Sequence, residues 1–273
     1  MSGSSPAVRL LYGTVPGRML LKLILFSRAD RLAVRFLHSS LSRPMVGWYV
    51  RRHNIPLENW RSFRSFREFF IRRRPNGPVD MEPGHLISPC DGWLSAWPIR
   101  EDSSFFIKRS HYRLKDLVQD EELAREFQGG DCLIFRLCPS DYHRYCYIDD
   151  GYHRKCNCIP GTLHSVQPIA CETYPVYVLN RRCWTLLVTE HFGPVIQAEI
   201  GALVVGGIVN EREHTRFHKG MEKGHFEPAG STILLLFQKD RIRLLPDLRD
   251  VLAHGGEHRV TQGMCIGMQE GLS

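Results

Sequence analysis

Glu222–Phe237 reads EKGHFEPAGSTILLLF, and its second half is an unbroken β-type run from Thr232 to Phe237 directly behind Gly230-Ser231. One reading is a plain turn into a strand. The other is a backbone that cuts itself. Glycine leaves its carbonyl open to approach, and the next residue supplies a hydroxyl. Attack of the Ser231 hydroxyl on the Gly230 carbonyl would turn the peptide bond into an ester. Elimination from that ester would free one chain end and leave dehydroalanine on the other, and hydrolysis of the resulting imine would give a pyruvoyl group. The trio Gly230-Ser231-Thr232 does not by itself decide between the two, because the same residues commonly form only a turn.

The surrounding texture fits a strand. After Pro75 the chain alternates short β-type runs with turn residues: Leu86–Ser88, Cys132–Leu137, Cys183–Val188, Val195–Val209 and Thr232–Phe237. Helical patterns are few here, the clearest being Leu114–Phe127, and the polar tail from about His254 reads as loose. Residues 1 to about 75 differ. Apolar groups recur at helical spacing (Leu20, Leu23, Ile24; Leu32, Phe36, Leu37; Val46, Tyr49, Val50) among Arg18, Lys22, Arg28, Arg31, Arg35, Arg43, Arg51 and Arg52. Such a stretch is suited to lying on an anionic membrane, or to packing as an ordinary helical subdomain. The expected class is therefore α+β: a β-rich catalytic domain over 76–273 behind a helical, basic, membrane-associating region over 1–75.

Composition bounds the rest. The chain has 273 residues, 43% hydrophobic and 24% charged, enough for a real core and inconsistent with disorder. A net charge of +7 favours an anionic partner. The basic-aromatic stretch Arg61–Phe70 contains no recognised nucleic-acid motif, so no nucleic-acid partner is expected. Nine cysteines, an odd number with no secretory signal ahead of them, read as reduced thiols. Cys156-Asn-Cys158 is a C-x-C without a second pair, and no metal is expected. No segment approaches the roughly 20 apolar residues that span a bilayer; Met19–Phe26 is short and carries Lys22.

Four further stretches bear on the self-cutting reading: Ser88–Gly92 (SPCDG), an acid in a tight turn; Arg136–Tyr145, a histidine among polar partners at a strand end; Ile159–Val166, a turn carrying His164; and Val195–Ile208, a glycine-bearing apolar run leading to Lys219–Gly224. Taken in order with the terminal GST, they make the chain resemble the pyruvoyl-dependent phosphatidylserine decarboxylases over most of its length.

The resemblance implies a set of roles. Ser231 is the self-cleavage nucleophile and becomes the pyruvoyl residue. Gly230 becomes the end of a large β subunit, 1–230, and residues 231–273 form a small α subunit. Asp91 matches the acid that works with a histidine to activate the serine. The family usually has two histidines in the box, at positions matching His143 and Cys146, and assigns the base role to the second. Here only His143 is present, and a cysteine can serve as base only as thiolate. His143 is then the first candidate base, with His164 as the alternative. The pyruvoyl group, derived from Ser231, needs no external cofactor: it forms a Schiff base with the amine of the headgroup and takes up the electrons released with carbon dioxide. Implied partners are phosphatidylserine and an anionic membrane surface, the chain's own α and β subunits, and further copies in a homo-oligomer. The implied place is the cytoplasmic face of a bacterial membrane, peripherally bound. Two other readings stay open: a pyruvoyl decarboxylase of a free amino acid, and an uncleaved lipid-binding homologue.

Overall fold

The computed structural model describes residues 6–271, apart from 27–28, 58, 76, 108–109, 139, 203–206, 211–215 and 229–230. Gly230 therefore lies outside the described residues, as does the middle of the 195–208 run.

Ser231–Phe237 is the centre of an antiparallel sheet. Its strands run in the spatial order Arg216–Phe217, Gly151–Ile159, Arg182–Thr189, Gly193–Gly201, Ser231–Phe237, Asp131–Leu137, Gly92–Pro98 and His258–Val260. The central strand pairs in register with both neighbours, Ser231 opposite Leu137 on one side and Gly201 on the other. Every residue of this strand is buried, which explains why it is apolar without alternation: both faces of the sheet are covered. Side chains alternate across a strand. Leu234 and Leu236 join one core, while Ile233, Leu235 and Phe237 join a second core on the opposite face.

The first face is covered by helices, including Leu114–Val118, Pro168–Thr173 and Val176–Leu179. The second is covered by two three-stranded sheets, Ile208–Asn210/Glu222–Phe226/Arg144–Cys146 and His85–Ile87/Cys265–Gln269/Ile242–Leu244, and by the helix Pro246–Ala253. The mixed helix-and-sheet class is as the sequence implied.

The expected basic N-terminal stretch is helical: α1 (Pro6–Gly13), α2 (Val15–Phe26), α3 (Ala29–His38), α4 (Arg43–Arg52) and α5 (Phe66–Phe70). It divides in two. Val8, Tyr12 and Leu21 belong to the first core of the sheet, whereas Leu37, Val46, Tyr49, Val50, Phe66, Phe69 and Phe70 form a separate core. The apolar positions of the helical pattern also divide. Val46, Tyr49 and Val50 are core residues, but Leu20, Leu23, Leu32 and Phe36 face outward. No helix among the described residues is long and apolar enough to cross a membrane.

Three expectations are corrected. Leu114–Phe127 is two helices, Leu114–Val118 and Glu121–Arg125, because Gln119 takes a left-handed conformation and Asp120 caps the second helix by accepting the Leu123 N–H. The tail is not loose: His258–Val260 and Cys265–Gln269 are strands, anchored by buried Val260 and Ile266. The cysteines are not all reduced. Antiparallel pairing sets Cys158 opposite Cys183, with Cα atoms 4.1 Å apart, and they form a disulfide. Cys158 is thereby taken from any C-x-C pair with Cys156.

Candidate active site

Ser231 opens the central strand, on the face of the second core, and is fully buried. Its register partner Leu137 ends a neighbouring strand, and the chain then turns through 138–143 before pairing again at Arg144–Cys146. That short excursion returns His143 to the end of the central strand. The imidazole Nδ1 lies 3.0 Å from Ser231 Oγ, and Nε2 lies 3.1 Å from the carbonyl oxygen of Cys138. A carbonyl only accepts, so the Nε2 proton goes to Cys138 and Nδ1 is left to accept the serine proton. The Phe70 ring covers the imidazole, with centroids 4.1 Å apart. Burial drives the His143 pKa down to about 4, against weaker upward pulls from Asp141 and the Cys138 carbonyl. At neutral pH the imidazole is uncharged, and its free nitrogen faces the hydroxyl.

Asp91 is close enough to act electrostatically on His143, but its hydrogen bonds go elsewhere. Both of its oxygens receive the Arg74 guanidinium, at 2.7 and 2.8 Å, and Oδ1 also accepts the Gln262 backbone N–H at 2.9 Å. Burial alone would raise this carboxyl; Arg74 and the Gln262 N–H outweigh it and hold it below its ordinary value. The orienting acceptor on the histidine is thus a backbone carbonyl, and Asp91 fixes the surrounding chain. It joins the stretch behind α5 to residue 262, which lies in the other of the two expected subunits.

His164 is not brought to Ser231. Its Nδ1 meets the Tyr12 hydroxyl at 3.2 Å, and its ring stacks on Tyr174 with centroids 4.8 Å apart. Its backbone is held by Asn180, whose amide also donates to the Gly201 carbonyl. Cys146, at the position of the missing second histidine, is fully enclosed, and burial pushes its thiol up to about 12. A thiolate base there is disfavoured at neutral pH.

Several contributors were not singled out in the sequence. Asp141 accepts the Cys138 N–H at 2.7 Å and pairs with both ends of the Arg259 guanidinium, at 3.0 and 2.7 Å. It therefore shapes the turn that presents the Cys138 carbonyl. Its signal was available, since it lies in the same box as His143. Glu227, three residues ahead of Gly230, accepts a forked bond from Arg67 of α5. The Val195–Ile208 and Lys219–Gly224 stretches meet through an ion pair of zero exposure, Lys223 Nζ to Glu199 Oε1 at 2.8 Å, shared with Asn210. The distant spacing of these partners hides them from a linear reading.

The arrangement supplies an alcohol, a neutral nitrogen base and an oriented tautomer, all buried, the parts needed to activate a serine oxygen. The residues present fit a pyruvoyl group made in place, because the only side chain it requires is that of Ser231 itself.

Comparison with known proteins gives a match to the phosphatidylserine decarboxylase family model over residues 66–267. Among similar curated proteins is the phosphatidylserine decarboxylase proenzyme 2 of Clostridium acetobutylicum, 40% identical over 95% of this chain and 91% of that protein. Another is the phosphatidylserine decarboxylase proenzyme of Ruminiclostridium cellulolyticum, 38% identical over 94% of this chain and 89% of that protein. The proenzyme of Clostridium perfringens is 36% identical over 94% and 90%.

Proposed function

The chain belongs to the phosphatidylserine decarboxylase family, and from that premise we propose that it converts phosphatidylserine to phosphatidylethanolamine and carbon dioxide with a pyruvoyl group made from its own Ser231. The observation that carries the mechanism is the 3.0 Å contact between Ser231 Oγ and a neutral His143 nitrogen.

His143 Nδ1 takes the Ser231 proton as Oγ attacks the Gly230 carbonyl carbon. The proton passes to the Ser231 nitrogen as the C–N bond breaks, leaving an ester. Loss of a Cα proton from residue 231 then breaks the Cβ–O bond. Gly230 leaves as a carboxylate, and residue 231 becomes dehydroalanine. Water releases ammonia from its imine form, which completes the group and divides the chain into 1–230 and 231–273. When present, the pyruvoyl group supplies an electron sink for the pair released with carbon dioxide. In this reading His143, buried under Phe70, also relays the proton that the substrate carbon takes up, after first gaining it from solvent. Asp91 and Asp141 hold the loops on which these groups sit.

The outward apolar groups of α2 and α3, interspersed with basic residues, support docking on an anionic membrane. In this reading residues 1–75 dock and residues 76–273 carry the chemistry. The relatives are bacterial, and the proposed place is the cytoplasmic face of a bacterial membrane, with homo-oligomers formed there. The test is release of labelled carbon dioxide from carboxyl-labelled phosphatidylserine in vesicles, run beside free labelled serine. Release from vesicles with formation of phosphatidylethanolamine is expected. Release from free serine alone would favour the amino-acid reading, and release from neither would leave the lipid-binding reading.

A further inference from the structure

Of the arginines near His143, Arg74, Arg259 and Arg144 are matched to carboxylates, in Asp91, Asp141 and Glu222. Arg72 is the exception. Its Nη1 donates to the Phe69 carbonyl at 3.2 Å, and its guanidinium carbon stands 4.7 Å from the centre of the Phe69 ring. Among the described residues it has no carboxylate within ion-pair distance. A guanidinium has five N–H donors, so most of its fork is uncommitted to protein acceptors.

Its place is well defined. Arg72 follows α5, whose Phe70 covers the His143 ring, and its own carbonyl accepts from Arg144 Nε at 3.3 Å. Burial lowers the Arg72 pKa, and its charge in turn acts on His143 and Asp91. The cation is therefore half-desolvated and in electrostatic reach of the site. Burying a charge without a partner is costly, and an arriving anion would offset that cost.

We propose that Arg72 binds the phosphodiester of the phosphatidylserine headgroup and so positions the serine amine over residue 231. This deepens the reading of the same site and rests on it. The phosphodiester fits better than the headgroup carboxylate. The carboxylate loses its charge as carbon dioxide leaves, so a fixed cation on it would stabilise the ground state more than the transition state. The phosphodiester keeps its charge throughout, and a planar guanidinium fork matches its oxygens.

The test uses Arg72→Gln and Arg72→Lys in the full-length matured protein, with short-chain phosphatidylserine in mixed micelles. For Arg72→Gln, KM should rise on the order of tenfold or more, as for loss of a charge-assisted hydrogen bond, while kcat changes less than about threefold; Arg72→Lys should fall between. Glycerophosphoethanolamine, which has the phosphodiester but no carboxylate, should inhibit the wild type and lose potency against Arg72→Gln by a similar factor. An unchanged KM would overturn the proposal. So would a raised KM with unchanged inhibition by glycerophosphoethanolamine, which would move Arg72 to the carboxylate. If Arg72→Gln does not mature, phenylglyoxal labelling of the wild type replaces it: protection of Arg72 by glycerophosphoethanolamine supports the proposal, and unprotected labelling overturns it. A wild type inactive on phosphatidylserine would instead sink the parent reading.

Discussion

His143 and His164 stand in boxes of similar texture, each a polar turn at the edge of a strand, yet the fold uses them differently. The 138–143 turn begins where Leu137 pairs with Ser231, so His143 is delivered to the start of the same central strand. The Ile159–Val166 turn instead sends the His164 ring toward α1, where Tyr12 and Tyr174 take it up. Both rings are shifted toward the neutral form by burial. Only His143 has its second nitrogen occupied by a carbonyl and its first facing a hydroxyl. What separates the proposed base from the histidine packed on Tyr12 and Tyr174 is the direction imposed by strand register, with burial common to both.

The contrast can be broken most directly by replacing the rings. His143→Ala should slow self-cleavage by roughly 10²- to 10⁴-fold, the usual range for a lost general base, measured as the fraction of cleaved chain over time.

The pH profile sharpens the same contrast. Because the folded-state pKa of His143 lies near 4, its base form should persist far below the ordinary histidine range. Self-cleavage should be nearly flat from neutral pH down to about 5 and fall as pH approaches 4. An inflection near 6.5 would point to an exposed histidine instead. The linkage to stability has a definite sign. Between about 4 and the unfolded value of 6.5 the unfolded chain binds the extra proton, so stability from this group is lost as pH falls through that window.

Asp91→Asn distinguishes a scaffold acid from an acid acting on the histidine. Loss of one side of the Arg74 fork should cost about 1–3 kcal/mol in unfolding free energy, moderated because Arg74 keeps part of its side chain in water. The variant's self-cleavage pH inflection should stay within one unit of the wild type's, since the Nε2 proton of His143 remains on Cys138. Cys146→Ala should leave self-cleavage within about threefold, because a thiol with a pKa of about 12 supplies no base. The smallest effect belongs to His164→Ala: cleavage unchanged within about twofold, and a stability loss of about 1 kcal/mol from the Tyr12 contact.

Much of this was legible in the chain. The apolar run Thr232–Phe237 announced a strand, though not its burial on both faces, and the ordered motifs pointed to Ser231, Asp91 and His143. The unreadable parts depend on long-range pairing. Nothing local shows that the Cys138 carbonyl, shaped by Asp141 and Arg259, occupies the second nitrogen of His143. Nothing local shows that Arg74 claims Asp91, or that Cys158 faces Cys183 across two strands. The N-terminal helices illustrate a related limit. One basic-apolar pattern holds both core residues such as Val46 and outward ones such as Leu32, and helical period alone does not say which face meets protein.

The central claim is that the chain divides at Gly230-Ser231, and the intact mass of the purified protein under denaturing conditions tests it most directly. The account predicts two species, residues 1–230 and a small fragment of 231–273 whose N-terminus is blocked by the pyruvoyl group. A single species at the full 31.5 kDa, persisting after incubation with phosphatidylserine vesicles, would contradict it.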